Sequence, residues 1–82
     1  MPTVLSLDGM RVAIYPNDHG PAHVHVIGPG VEAVFDLRCP RGPPVLRESH
    51  GFRLAQANRV TQRLTAELDA LCAHWRRIHG DD

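Results

Sequence analysis

The chain has 82 residues, of which 43% are hydrophobic and 22% are charged. This length and composition predict one globular domain over residues 1–82, with no room for separate catalytic and regulatory domains. No window of about 18 residues is apolar enough to span a bilayer, so we expect no membrane partner. Nine Lys plus Arg balance nine Asp plus Glu for a formal net charge of zero, which removes bulk charge as an argument for nucleic-acid binding.

Two cysteines, Cys39 and Cys72, are far apart in the sequence and form no Cys-x-x-Cys pair. Nothing at the start of the chain resembles a secretory signal. We therefore expect a cytoplasmic protein in which both thiols are free.

Two β-rich runs on either side of Asp8-Gly9 predict a hairpin, because this dipeptide tolerates the positive φ angles of a type I′ turn. The expected strand partners are Leu7 with Met10, Leu5 with Val12, and Thr3 with Ile14. Residues 16–21, rich in Pro, Asn, Asp and Gly, predict an irregular connection that ends this hairpin.

A second hairpin is predicted from residues 23–27 and 32–38, around Gly28-Pro29-Gly30. In one register His23 faces Asp36 and His25 faces Val34, and both histidines point away from the apolar core. In the other register both histidines join the apolar face with Ala33 and Phe35. The first register gives the more amphipathic sheet and is favoured.

Residues 45–49 follow a Pro/Gly-rich loop and have the pattern of a short fifth strand. From Leu54 to His79 apolar residues recur every three or four positions without Gly or Pro, which predicts one long amphipathic helix. This helix would be roughly 39 Å long, so it would extend beyond strands that are about 20 Å long. The overhang predicts a homodimer through this helix, exposure to solvent, or a break near Ala55–Asn58.

Together these elements predict an α+β fold. An antiparallel meander of four strands, or five with the short one, occupies residues 1–49. The C-terminal helix occupies residues 50–80.

Three of the six histidines, His19, His23 and His25, fall within seven residues. On a strand His23 and His25 share a face about 7 Å apart, close enough to reach one metal ion or anion. With His19 from the loop and Asp36 from the next strand they form a candidate site for a divalent metal. Three interpretations remain open: a structural role, recognition of a phosphate, nucleic acid or protein, and metal binding or acid–base catalysis.

Other chemistry has weaker signals. No nucleophile forms a recognisable triad with a histidine. Arg59 and Arg63 lie on a basic helix surface that is either an ordinary solvated face or part of a phosphate-binding patch. Trp75 falls on the apolar stripe, which is typical of a core or dimer-interface residue.

Several short motifs occur in order along the chain: Met1-Pro2-Thr3-Val4-Leu5, Asp18-His19, Pro21 to Val26, Glu32-Ala33, Gly51-Phe52, and Trp75 to Gly80. In these motifs, which extend over nearly the whole chain, the sequence resembles the domain-of-unknown-function 4160 family of short bacterial proteins. The family has no established activity. Its genes commonly neighbour those of domain-of-unknown-function 2442 proteins, similar to toxin–antitoxin pairs, which implies a small cognate protein partner. The positions matching the family's shared run and the adjoining strand are Asp18, His19, His23, His25, Glu32 and Asp36.

These observations favour a small cytoplasmic binding module, a component of a toxin–antitoxin-like pair. It would engage a cognate protein through its His-rich face, with nucleic acid as a second candidate partner. The alternative is a divalent-metal protein or a small metal-dependent phosphoester hydrolase built on His19, His23 and His25.

Overall fold

The computed structural model describes residues 3–80, so the Met1-Pro2 start of the family resemblance lies outside the described residues. The elements in chain order are β1 (Thr3–Leu7), β2 (Met10–Ala13), β3 (His23–Gly28), β4 (Val31–Asp36), β5 (Val45–His50), α1 (Leu54–Ala66) and α2 (Leu68–His79). All five strands form one antiparallel sheet in sequence order. The α+β prediction is confirmed, and the short fifth strand is present.

The first hairpin turns at Asp8 and Gly9, whose φ angles of 49° and 78° suit a type I′ turn. Leu7 pairs with Met10 and Leu5 with Val12, as predicted. The third predicted pair is wrong, because the register shifts between Thr3 and Leu5 and brings Thr3 opposite Ala13. Such an irregularity is tolerated because β1 lies at the edge of the sheet.

The second hairpin adopts the favoured register. His23 pairs with Asp36, and His25 pairs with Val34. Val24, Val26 and Phe35, on the opposite face, are completely buried. Amphipathy decides the pairing here, since a slip of one residue would move this apolar set to the other face.

The predicted single helix is wrong. The helical segment is interrupted at Glu67, with φ −107° and ψ 13°, and the break does not fall at Ala55–Asn58. The Glu67 N–H is shared between the carbonyl oxygens of Arg63 at 3.3 Å and Leu64 at 3.1 Å. Leu64 and Leu68, on the two sides of the break, are both buried, so the interruption lets the apolar stripe stay on the sheet.

The core lies between the helices and one face of the sheet. The helix residues buried in it are Ala57, Val60, Leu64, Leu68, Leu71, Cys72 and Trp75. Leu54 and Ile78, near the two ends of the helical segment, are 77% and 40% exposed. The homodimer stays a prediction, but its argument from an overhanging single helix no longer applies.

Cys39 and Cys72 form a disulfide with a Cα–Cα distance of 5.9 Å. The prediction of two free thiols is therefore wrong. The Pro/Gly-rich loop after β4 brings Cys39 against α2, a contact between residues 33 positions apart that no local motif signals. The bond ties the β4–β5 connection to the C-terminal helix.

Among residues 3–80, neither helix combines the length and the apolar character needed to cross a bilayer.

Candidate metal centre

Asp18 is held in a tight turn after β2. The Tyr15 backbone N–H donates to Asp18 Oδ2 at 3.0 Å, and the Asp18 N–H donates to the Tyr15 carbonyl at 3.0 Å. A short Asp side chain that accepts from a nearby backbone N–H is a common device for closing a turn. The result is a carboxylate fixed beside the first residues of β3.

His23 and His25 approach this carboxylate from β3. Alternation along a strand places them on the same face, and their ring centroids are 5.3 Å apart. Nε2 of His25 lies 3.2 Å from Asp18 Oδ2, and Nε2 of His23 lies 3.4 Å from the same oxygen. Two imidazole nitrogens and one carboxylate thus converge on one point.

The three side chains are largely shielded from solvent. The exposed fractions are 7% for His23, 15% for Asp18 and 18% for His25. The His23 ring packs against Trp75, a core residue, with centroids 5.2 Å apart. The histidines therefore occupy the predicted register, but the prediction that both point away from the core is wrong for His23, whose ring is buried against Trp75.

The pKa of Asp18 is displaced below its ordinary value of 3.8. Burial is the largest influence and acts to raise this pKa. It is outweighed by the Tyr15 N–H, by the hydrogen bond from His25 and by the charges of His25 and His23, all of which lower it. The site consequently favours the carboxylate over the carboxylic acid.

The proton on His23 is assigned by its hydrogen bond. Nδ1 lies 2.9 Å from the Pro21 carbonyl oxygen, and since a carbonyl only accepts, Nδ1–H is the donor. In the neutral ring, Nε2 then carries a lone pair. This is the usual arrangement of metal-binding histidines, in which a backbone carbonyl fixes the tautomer and the ring orientation.

Residues outside the predicted site form its walls. The Tyr15 ring lies edge-on to His25, with centroids 4.8 Å apart. Trp75 packs against His79 at 4.1 Å, and Nε2–H of His79 donates to the Tyr15 carbonyl at 3.1 Å. The last turn of α2 thereby supports both the His23 ring and the turn that carries Asp18.

The ligand atoms of this group lie close together, and two of their three separations match a metal site. One ligand atom from each of Asp18, His23 and His25 lies within 4.8 Å of the others. Bonds of about 2.0–2.1 Å in a tetrahedral zinc site place two ligand atoms roughly 3.3 Å apart, close to the two Asp18–imidazole distances. The three residues could therefore hold a metal ion.

The predicted site residues separate into two groups. Asp18, His23 and His25 come together. The remaining predicted residues are not part of this group. His19 is exposed in the loop, and Asp36 is ion-paired with Arg47 of β5. The ligand group thus contains Asp18 instead of His19 and Asp36.

The other three predicted binding residues are not part of this group either. Glu32 is exposed on β4, opposite Ile27 and His50. Arg59 and Arg63 are exposed on α1, and Arg63 contacts Asp8 at 3.1 Å.

The roles of Tyr15 and His79 are not predicted from the sequence, and Trp75 is predicted only as a core or dimer-interface residue. Trp75 is indeed buried, at 1% exposure. The four-residue spacing of Trp75 and His79 signals a shared helix face. Nothing local shows that this face reaches the turn before β3.

The fold and the cluster together define a small α+β protein with a His/His/Asp group at the start of a central strand. A family model described as "Domain of unknown function (DUF4160)" matches residues 9–76, and the chain belongs to that family. No curated protein and no solved structure matches the chain.

Proposed function

We propose that this protein binds a divalent transition-metal ion through the Asp18 carboxylate and the Nε2 atoms of His23 and His25. The observation that supports this most strongly is the approach of both Nε2 atoms to one carboxylate oxygen, at 3.4 and 3.2 Å. At the same time Nδ1 of His23 is engaged by the Pro21 carbonyl.

The contact between His23 and Asp18 also favours a bound cation. In the neutral tautomer, the Nε2 lone pair of His23 faces a carboxylate oxygen, and two acceptors repel each other at that distance. A cation between them removes the repulsion. That cation is either a proton on Nε2 or a metal ion bound by both atoms. A metal ion would also replace the hydrogen bond between His25 and Asp18.

The donor set indicates which ions would bind. Two imidazoles and one carboxylate suit Zn²⁺ or Fe²⁺, whereas Mg²⁺ and Ca²⁺ prefer oxygen ligands. Three protein ligands also leave a coordination position for water, which is typical of catalytic rather than structural metal sites. Hydrolysis of a phosphoester, the enzymatic alternative, stays a prediction that depends on this position.

The test is the metal content of untagged protein together with a Zn²⁺ titration by calorimetry. We expect about one equivalent bound per chain. The double substitution His23→Gln and His25→Gln should abolish binding. His19→Gln is the matched control, because His19 is exposed and lies outside the ligand group.

Two results would reject the metal proposal. One is no saturable binding of Zn²⁺ or Fe²⁺, and the other is equal binding by the double variant and the wild type. In either case the cluster would be a proton-bridged structural network, and the melting temperature of protein purified without added metal would be unaffected by a chelator.

Engagement of a cognate protein, as in a toxin–antitoxin-like pair, is a separate proposal that rests on the family resemblance. The feature favouring it is β5, a strand at the edge of the sheet whose six residues are all exposed. Exposed edge strands offer unpaired backbone groups to another chain. Co-expression with the neighbouring small protein and co-purification of a complex would support it, and separate elution of the two would reject it.

A further inference from the structure

A pocket of about 620 Å³ lies beside the disulfide. Pro21 and Trp75 line the pocket and also contact His23, but none of the three metal-ligand residues lines it. A volume of this size is typical of small-molecule sites. Because its lining contains none of the metal-ligand residues, the pocket is distinct from the candidate metal centre.

The inner surface of the pocket is apolar. Trp75 and Cys72 are 1% and 3% exposed, and the disulfide holds Cys72 against Cys39, which also lines the pocket. Pro40 and the partly exposed Val45 complete the apolar walls. Such a surface accommodates an aromatic or aliphatic group.

The charges in the pocket are predominantly positive. Arg38 and Arg76 both line it, both are exposed, and neither guanidinium forms an ion pair within residues 3–80. Asp36, the acidic residue of the lining, is neutralised by Arg47 from β5. Two guanidinium groups that form no ion pair in the described part of the chain favour an anion.

The backbone of Arg38 supports the same conclusion. Its φ of 57° lies in the left-handed region, which is unfavourable for a side chain such as Arg. The Gly42 N–H donates to the Arg38 carbonyl at 2.7 Å, and the preceding Leu37 N–H donates to the Ala22 carbonyl at 3.0 Å. Non-glycine residues held in this region cluster at ligand-binding sites, and here the conformation fixes the base of a pocket-lining arginine.

We infer that this pocket binds a small organic carboxylate, with its apolar body against Trp75 and the disulfide and its carboxylate between Arg38 and Arg76. Guanidinium and carboxylate groups match in shape and charge. The site does not require a metal ion, and the inference stands independently of the metal proposal.

Trp75 provides a direct probe, because it is the only Trp in the chain. We would titrate the protein, made metal-free with a chelator that is then removed, with three matched compounds: 4-phenylbutyrate, 4-phenylbutanol and 4-phenylbutylamine. Quenching of Trp75 emission should saturate with the carboxylate, at a Kd roughly 10-fold or more below that of the alcohol. The amine should bind most weakly.

Substitutions of the arginines identify the site. Arg38→Asn and Arg76→Gln should each weaken phenylbutyrate binding about 5- to 10-fold. Asn tolerates the left-handed conformation, so Arg38→Asn removes the charge without adding backbone strain. The matched controls are Arg41→Gln in the same loop and Arg77→Gln on the same helix, which lie outside the lining and should change Kd less than about 2-fold.

The inference is overturned if the carboxylate and the alcohol bind equally, if no titration saturates, or if Arg77→Gln weakens binding as much as Arg76→Gln. Because the protein in this experiment contains no metal, failure here leaves the metal proposal intact. Failure to bind Zn²⁺ would likewise leave the pocket inference intact.

Discussion

Nε2–H of His79 donates to the carbonyl oxygen of Tyr15 across 64 positions of sequence, at 3.1 Å. The same Tyr15 residue closes the Asp18 turn through its N–H and its carbonyl. The end of the last helix is therefore bonded directly to the turn that supplies the carboxylate of the candidate metal centre.

His79→Ala should destabilise the fold by about 1 kcal/mol, because it leaves the Tyr15 carbonyl with one donor fewer and removes the ring that stacks on Trp75. Urea unfolding measures this loss. His50→Ala is the control, since His50 is exposed on the edge strand, and it should change stability by less than about 0.5 kcal/mol. Equal effects of the two substitutions would show that the His79 contact contributes nothing.

The lowered pKa of Asp18 predicts how stability depends on pH. Because the folded-state pKa lies below the ordinary value of 3.8, the ionised carboxylate stabilises the fold above that value. The contribution is lost as the pH falls through the lower, folded-state pKa.

Asp18→Asn should therefore be less stable than the wild type at pH 5, and the difference should shrink as the pH falls below 3.8. Urea unfolding of both proteins across this pH range measures the difference. A difference that is constant or grows toward acid pH would contradict the assignment.

The disulfide should contribute substantially to stability. Cys39 and Cys72 are 33 positions apart, and closing a loop of that size stabilises a fold by about 3–4 kcal/mol in the chain-entropy model. Urea unfolding with and without a phosphine reductant, compared with Cys39→Ser plus Cys72→Ser, measures this. Two reactive thiols in the native, oxidised protein, or an unchanged midpoint after reduction, would contradict the bond.

Two leucines of the helical segment test the packing of the helices on the sheet. Leu64 is completely buried, whereas Leu54 is 77% exposed. Leu64→Ala should cost about 2–5 kcal/mol of unfolding free energy, and Leu54→Ala less than about 0.5 kcal/mol. Similar costs for both would mean that the apolar stripe does not face the sheet.

The sheet could be predicted from local patterns, because each hairpin carries its own register signal. Asp8-Gly9 specifies the first turn, and the alternation of His23 to Ile27 specifies the second pairing. The pairing of Thr3 with Ala13 could not be predicted, because a register shift in an edge strand does not change the apolar pattern of the sequence.

The helix break at Glu67 cannot be predicted from the sequence for a different physical reason. The apolar spacing continues unchanged from Leu64 through Leu68 to Leu71, and this spacing predicts one uninterrupted helix. The interruption follows from packing that stripe on the sheet, which is a tertiary effect.

The candidate site was only half predictable. The pair His23 and His25 follows from strand alternation, but the third ligand depends on loop conformation and on a partner strand. Asp36 is occupied by Arg47 of the fifth strand, and Asp18 is aimed by a turn closed through Tyr15. The Asp36–Arg47 pair and the disulfide join residues 11 and 33 positions apart, so no local motif encodes them. The Tyr15–Asp18 turn is local, but only the pairing of β2 with β3 brings its carboxylate to the two histidines.

Side-chain ¹⁵N NMR during a Zn²⁺ titration directly tests whether His23 and His25 coordinate one metal ion through Nε2. The Nε2 signals of both residues should shift in parallel and saturate at about one equivalent, with His19 unchanged. Unchanged Nε2 signals of His23 and His25 in the presence of excess Zn²⁺ would contradict the metal proposal.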